Sequence, residues 1–142
     1  MDEKKKVRRK VTPRPKESQG EVPELVLAEE MPVLALRGLV LFPNMILHFD
    51  VGREKSVLAL NEAINSNRKI FLVAQQDLSA DDPGQEELYQ VGVVAEARQI
   101  IRIQAETLRV LVEGKYRARL LTVTKTEPFL SGIVEEIGRA HV

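Results

Sequence analysis

The sequence predicts an α+β domain that is mostly β, with short mixed strands rolled into a barrel and one main α-helix. Three observations support this fold class. Short apolar stretches that alternate with polar residues recur between residues 31 and 135, and period-two alternation is typical of strands. One segment, residues 53–66, instead repeats its apolar residues at helical spacing. Rolling the sheet into a barrel also limits the number of exposed strand edges.

The first two predicted strands lie on either side of a turn. Residues 33–36 begin the first strand, and residues 45–51 form the second. Between them lies Pro43-Asn44. Proline has no amide proton and asparagine tolerates the backbone angles of turns, so this dipeptide favours a change of chain direction.

The main helix is predicted over residues 53–66, directly after Gly52. Its apolar residues recur at spacings of three, four and seven, which places them on one face, and we expect this face to dock on the sheet. The next strand, residues 69–74, is apolar almost throughout, as expected for a strand that is covered on both sides. The apolar face of the helix consists of Val57, Leu60, Ala63 and Ile64.

The C-terminal half of the chain is predicted to consist of strands. Residues 91–103 and 107–113 form two strands joined by a short loop, and Gly114 is expected to break the second of them. Alternation resumes at Tyr116, and a last strand covers residues 129–135. The whole chain is therefore expected to contain seven or eight strands.

The charge distribution separates a basic N-terminal tail from a mildly acidic body. The formal charge of the chain is +0, whereas residues 1–17 carry eight basic and three acidic side chains, a net charge of +5. Residues 1–28 contain few large apolar groups, so burial cannot offset the entropy lost when they are ordered. We predict a disordered basic tail over residues 1–28 and a folded domain over residues 29–136.

The last six residues, 137–142, are predicted to be a non-native or truncated tail. They can be back-translated as ATC GGA AGA GCA CAC GTC, which coincides with a common sequencing-adapter read. Under this hypothesis the natural protein continues beyond Glu136, and His141 has no biological role.

The composition argues against several classes of function. The chain has no cysteine, which excludes disulfides and thiolate catalysis. It contains no G-x-x-x-x-G-K-[ST] stretch for nucleotide phosphates, and His48 beside Asp50 is interpreted as a structural residue and not as a base. We expect no enzyme activity, cofactor or metal site in this chain, no membrane span, and a cytoplasmic location.

Several motifs follow one another over about a hundred residues. They are Pro32-Val33-Leu34, Phe42-Pro43, Val51-Gly52-Arg53, residues 70–75, residues 88–95, residues 109–114, and Phe129-Leu130 before Val134-Glu135. In order and spacing, this set resembles the N-terminal domain of Lon, the ATP-dependent serine protease. The resemblance covers nearly all of the predicted folded part.

The resemblance implies a PUA-like pseudo-barrel and a role in capturing unfolded or damaged protein substrates. In that family the domain serves an ATP-driven homo-hexamer, in which an ATPase domain uses ATP and Mg and a protease domain uses a serine–lysine dyad. The functional residues of those two domains have no counterpart in this sequence. The fragment by itself is therefore expected to capture substrates without cutting them.

Four residues around the first turn are the candidate substrate contacts: Leu39, Leu41, Phe42 and Met45. A capture domain should expose apolar surface on which unfolded segments can dock. Methionine suits such a surface because its side chain is flexible and polarisable. The alternative for Leu41 and Phe42 is a position in the core.

Two other functions stay open at this point. The chain could be a stand-alone Lon-like or PUA-like adaptor, or a peptide-binding protein, with no protease attached. PUA kinship and the basic tail suggest an RNA-binding module, but the acidic body and an aromatic content of 4% offer bases few stacking partners. Contact with nucleic acid is therefore expected only through the tail.

Overall fold

The computed structural model describes residues 9–11, 26–38 and 41–138. These residues form seven strands and one α-helix, which confirms the predicted fold class. In this described part, no helix has the length and apolar character needed to cross a bilayer. In chain order the elements are β1 (Arg9–Val11), β2 (Val26–Leu36), β3 (Ile46–Val51), α1 (Glu54–Ile64), β4 (Lys69–Ala74), a 3-10 turn (Gln85–Glu87), β5 (Val91–Gln104), β6 (Thr107–Lys125) and β7 (Ser131–Gly138).

Five of the strands close into a ring. β2 pairs with β4 in parallel, and the pairs β4–β5, β5–β6, β6–β7 and β7–β2 are antiparallel. β1 and β3 lie outside the ring, as partners of β2 and β6 respectively. Closure gives every ring strand two neighbours, which confirms the prediction that the sheet is rolled.

Alternate residues of the ring strands enter two hydrophobic cores, as the period-two geometry of strands requires. Ile70 and Leu72 of β4 belong to the core that contains Leu60 of α1, which we call the helix-side core. Phe71 and Val73 belong to the second core. All four β4 residues are at most 3% exposed. The strand is therefore covered on both faces and the helix docks on the sheet, as their sequence patterns predict.

β6 runs without interruption through Gly114, so the predicted strand break at this glycine is wrong. A Cβ atom at Gly114 would lie 2.5 Å from the carbonyl oxygen of Phe42. The glycine is needed because another segment of backbone approaches β6 closely at this point. A contact between residues so far apart in sequence has no signature in the local pattern.

Both ends of the folded region differ from their predicted positions. Residues 1–28 are predicted to be disordered, but residues 9–11 form β1 and pair with residues 26–28 at the start of β2. Backbone hydrogen bonds build this pair, so the side-chain composition behind the prediction does not reveal it. The rest of the predicted tail lies outside the described residues. At the other end, Ile137 and Gly138 continue β7 past the predicted boundary at Glu136.

Candidate functional site

The structure places the four predicted contact residues in different environments. Leu39 lies outside the described residues. Leu41 is 8% exposed and belongs to the helix-side core, which agrees with the core alternative and not with a surface contact. Phe42 is 60% exposed, whereas Met45 is half-buried and packs against the helix-side core. The roles of Phe42 and Met45 as substrate contacts stay predictions.

Backbone hydrogen bonds fix the turn that carries Phe42. The Met45 amide donates to the Phe42 carbonyl at 3.1 Å, which closes the turn. Asn44 has a φ of 72°, a left-handed conformation that asparagine adopts more readily than most residues. The Asn44 amide donates to the Gly114 carbonyl, and the Gly114 amide donates to the Met45 carbonyl, both at 2.9 Å. Phe42 is therefore held outward by a turn that is anchored to β6.

Sequence reasoning missed a second exposed apolar side chain, Ile46, which is 63% exposed at the start of β3. Exposed residues alternate with less exposed ones along this strand. Because Leu47 and Phe49 pack against the helix-side core, their neighbour Ile46 must face solvent. The alternation of β3 was the signal that could have found it. We call Phe42, Met45 and Ile46 the turn surface.

Paired charges on β5 and β6 border the turn surface. Glu113 lies opposite Ile46 across the β3–β6 pair and accepts a hydrogen bond from Arg98. The Lys115 Nζ atom lies 3.5 Å from a carboxylate oxygen of Glu96 and 3.5 Å from one of Glu113. Two cations and two anions balance one another here. The border therefore offers hydrogen-bonding groups with little net charge, and such exposed pairs contribute little to stability.

An exposed ion pair marks the other end of β3. Arg109 donates two hydrogen bonds to the carboxylate oxygens of Asp50, at 2.8 and 3.3 Å. These bonds hold the pKa of Asp50 below its ordinary value and raise the pKa of Arg109. Both side chains are about half exposed. Because the pair is exposed, it orients these two side chains on the outer face of β3 but contributes little to stability.

A groove of about 440 Å³ separates the end of β2 from the end of β3. Residues 34–37 form one wall and residues 49–53 the other. Across the groove, the Arg53 guanidinium donates to the Ala35 carbonyl at 2.9 Å. Burial, followed by the nearby charge of Arg37, lowers the pKa of Arg53. An arginine nevertheless stays charged at neutral pH, so a fixed cation ties the two walls together.

The site offers non-covalent contacts. Within the described residues, no three histidine, aspartate or glutamate side chains are grouped to hold a metal ion. His48 lies exposed in β3. What the arrangement supplies is apolar surface at the turn, backbone groups along β3 and a border of paired charges.

Most of the chain matches one known family. The family model for the ATP-dependent protease La (LON) substrate-binding domain matches residues 30–141. The chain belongs to this family. The family that the sequence motifs predict is therefore confirmed.

Curated relatives of this Lon substrate-binding domain carry the name Lon protease. The Lon protease of Heliobacterium modesticaldum is 46% identical over 108 residues, which are 76% of this chain and 13% of that protein. Lon protease 1 of Bacillus subtilis is 44% identical over 105 residues, which are 74% of this chain and 14% of that protein. The chain thus spans only a small part of the length of these relatives.

Two solved structures share the fold of this Lon substrate-binding domain. The N-terminal domain of Mycobacterium avium complex Lon protease aligns with a TM-score of 0.59 and 18% identity, over 80% of this chain and 56% of that one. A Lon N-terminal domain protein from Xanthomonas campestris aligns with a TM-score of 0.60 and 12% identity, over 79% of this chain and 62% of that one. At these identities the likeness concerns the fold alone.

Proposed function

We propose that this Lon substrate-binding domain recognises unfolded or damaged polypeptides through the turn surface and presents them to an ATP-dependent serine protease. The observation that carries the proposal is the exposure of Phe42 and Ile46, 60% and 63%, beside a turn anchored to β6. Apolar side chains held outward by an ordered backbone bind apolar segments at little ordering cost. The family description, a substrate-binding domain, supports the same role.

A surface of three apolar residues supports only weak binding of one segment. Weak binding suits a domain whose ligands differ in sequence and must be released again. In the proposed parent protein, a homo-hexamer, six such surfaces would engage several segments of one substrate and raise the apparent affinity without new contacts. ATP and Mg would act in the ATPase domain of that parent, and peptide-bond cleavage would take place in its protease domain.

The substitutions Phe42→Ser and Ile46→Ser test the proposal. Each removes exposed apolar surface, so each is expected to weaken binding of a permanently unfolded, fluorescently labelled protein by about three- to tenfold. The melting temperature should change little, because both side chains are mostly in solvent. Fluorescence anisotropy measures the affinity. Leu78→Ser is the matched control, since Leu78 is 54% exposed on a different loop.

Met45→Asp is a less direct test. Met45 packs against the helix-side core, so a carboxylate at this position is expected to lower the melting temperature as well as the affinity. The proposal fails if Phe42→Ser and Ile46→Ser bind the unfolded protein as tightly as the wild type. It also fails if Leu78→Ser weakens binding by the same factor.

A further inference from the structure

Among the described residues β3 pairs with β6 alone, so one edge of β3 is open. The β3–β6 pair keeps one continuous register, whereas the β5–β6 and β6–β7 pairs contain register shifts. Natural proteins commonly protect strand edges with bulges, lysine or proline. Residues 46–51 have none of these features. The edge of β3 is therefore regular enough to accept another strand.

The hydrogen bonds between β3 and β6 show which backbone groups of β3 face the open edge. The Gly114 amide donates to the Met45 carbonyl at 2.9 Å, so the carbonyl of Met45 faces β6. Successive residues of an antiparallel strand direct their backbone groups to opposite sides. Ile46, His48 and Asp50 consequently direct their N–H and C=O groups away from β6.

The groove between β2 and β3 meets this edge at its C-terminal end. Residues 49–51 of β3 all line the groove. Because their side chains point to alternate faces of the strand, a groove lined by all three lies beside the strand and not over one face. Residues 34–37 form the opposite wall, where the Ala35 carbonyl already accepts a hydrogen bond from Arg53. The groove therefore provides room next to the outward backbone groups of Asp50, at the C-terminal end of the edge.

We propose that an extended, uncharged and apolar segment of an unfolded polypeptide binds by adding to β3 as an extra strand. The inference rests on the proposed function and specifies how the captured segment is held. The backbone groups of Ile46, His48 and Asp50 pair with the backbone N–H and C=O groups of the segment. A polypeptide of any sequence supplies such groups. Alternate side chains of the segment pack on the exposed apolar groups of Phe42 and Ile46.

Two properties of the surface favour an uncharged segment of an unfolded polypeptide as the ligand. Backbone pairing needs a chain whose N–H and C=O groups are free, which an unfolded polypeptide offers and a folded one has already used. Beside β3 and the groove, Asp50 pairs with Arg109 and Arg37 with Asp81, both at 2.8 Å. The Arg53 guanidinium, a further cation in the groove, donates to two backbone carbonyls. Because these charged groups already have partners, a charged segment would lose its water without gaining an ion pair, which favours an uncharged segment.

Two peptides with the same side chains separate backbone pairing from apolar contact. One is a neutral, valine- and threonine-rich peptide of about eight residues, and the other carries N-methyl groups on its interior amides, which removes its donors. Strand addition predicts that methylation weakens binding at least about tenfold. It also predicts that the unmethylated peptide slows hydrogen exchange at the amides of Ile46, His48 and Asp50. Equal affinity for the two peptides would overturn the inference.

A proline substitution tests the same edge from the side of the protein. His48→Pro removes the central outward amide and is expected to weaken peptide binding by about tenfold. Leu78→Pro is the matched control and should bind as the wild type does. The Ala80 amide donates to the Asp77 carbonyl at 3.2 Å, and proline fits the second position of such a turn. If His48→Pro fails to fold, as judged by circular dichroism, the comparison of the two peptides tests the inference by itself.

The possible outcomes distinguish this inference from the proposed function. Capture of an unfolded protein that depends on Phe42, together with equal binding of both peptides, would leave the proposed function standing and overturn strand addition. Failure of the unfolded protein and of both peptides to bind would contradict both proposals. Dimerisation that His48→Pro abolishes, without peptide binding, would show that a second copy fills the edge and would also overturn the inference.

Discussion

At the scale of single residues, Leu41 and Phe42 show where a sequence pattern stops being informative. They are neighbours in the chain, yet Leu41 is 8% exposed and Phe42 is 60% exposed. Alternation predicts orientation only inside a strand, and both residues precede β3. The sequence pattern therefore left both a core and a surface position open for them. Ile46 lies inside the β3 alternation, so its exposure could have been predicted.

The close approach at Gly114 predicts a large difference between two glycine substitutions. In Gly114→Ala the new Cβ would lie 2.5 Å from the Phe42 carbonyl oxygen, whereas in Gly52→Ala its nearest neighbour would be 3.7 Å away. We expect Gly114→Ala to lower the free energy of unfolding by about 1–3 kcal/mol, because the turn must shift. Gly52→Ala should stay within about 0.5 kcal/mol. Urea unfolding measures both values, and equal stability of the two variants would contradict the described packing.

The Asp50–Arg109 pair predicts a pH dependence of stability at acid pH. The folded pKa of Asp50 lies below the ordinary value of 3.8, so the carboxylate stabilises the fold above that value. This contribution is lost as the pH falls through the lower folded pKa. The difference in unfolding free energy between wild type and Asp50→Asn should therefore shrink between about pH 5 and pH 2. Urea unfolding at a series of pH values tests this. A difference in unfolding free energy that does not change with pH would contradict a stabilising interaction between Asp50 and Arg109.

At the scale of elements, the composition of the segment between β4 and β5 indicates a loop but not the contact of this loop with α1. Its polar composition predicts a loop, and the structure agrees apart from one 3-10 turn. What composition does not show is its attachment to α1: the Lys55 ammonium lies 2.9 Å from the Asp82 carboxylate of this loop, and also 2.9 Å from Glu127 in the loop between β6 and β7. Ion pairs between residues this distant in sequence depend on the folded arrangement. The loop is therefore held against the helix by contacts that local patterns cannot predict.

The substitution Lys55→Gln is expected to loosen this loop around Asp82, while Arg37 still holds Asp81. It removes the cation shared by Asp82 and Glu127, so cleavage of residues 76–84 by an added protease should become several-fold faster. The free energy of unfolding should change by less than about 1 kcal/mol, because the partners are largely exposed. Lys115→Gln is the control, since Lys115 pairs with Glu96 and Glu113 on the sheet. Cleavage at the wild-type rate in Lys55→Gln would show that other contacts hold the loop.

At the scale of the whole molecule, the sequence reveals the kind of fold but not which strands pair. The strand patterns and the single helix depend on local periodicity, which is why both could be predicted. The parallel β2–β4 pair and the double pairing of β7 with β2 and β6 depend on contacts between distant segments. The same pairing leaves β3 at the end of the sheet path. The candidate site is thus a product of topology as much as of composition.

The molecule exposes a second set of apolar side chains that competes with the turn surface as a binding site. Tyr89 is 53% exposed, Val91 43%, Leu121 39% and Ile137 37%. Phe42 and Ile46 are 60% and 63% exposed, and none of these four side chains reaches 60%. Capture through the turn surface therefore predicts that a bound polypeptide leaves this second set unaffected.

The most direct test of the central claim is a map of amide chemical-shift changes in the isotope-labelled domain when an unlabelled, permanently unfolded protein is added. Binding at the turn surface predicts the largest changes at residues 42–50 and on the facing part of β6, with Tyr89, Val91 and Ile137 unchanged. Largest changes at Tyr89, Val91 and Ile137, with residues 42–50 unaffected, would contradict the account.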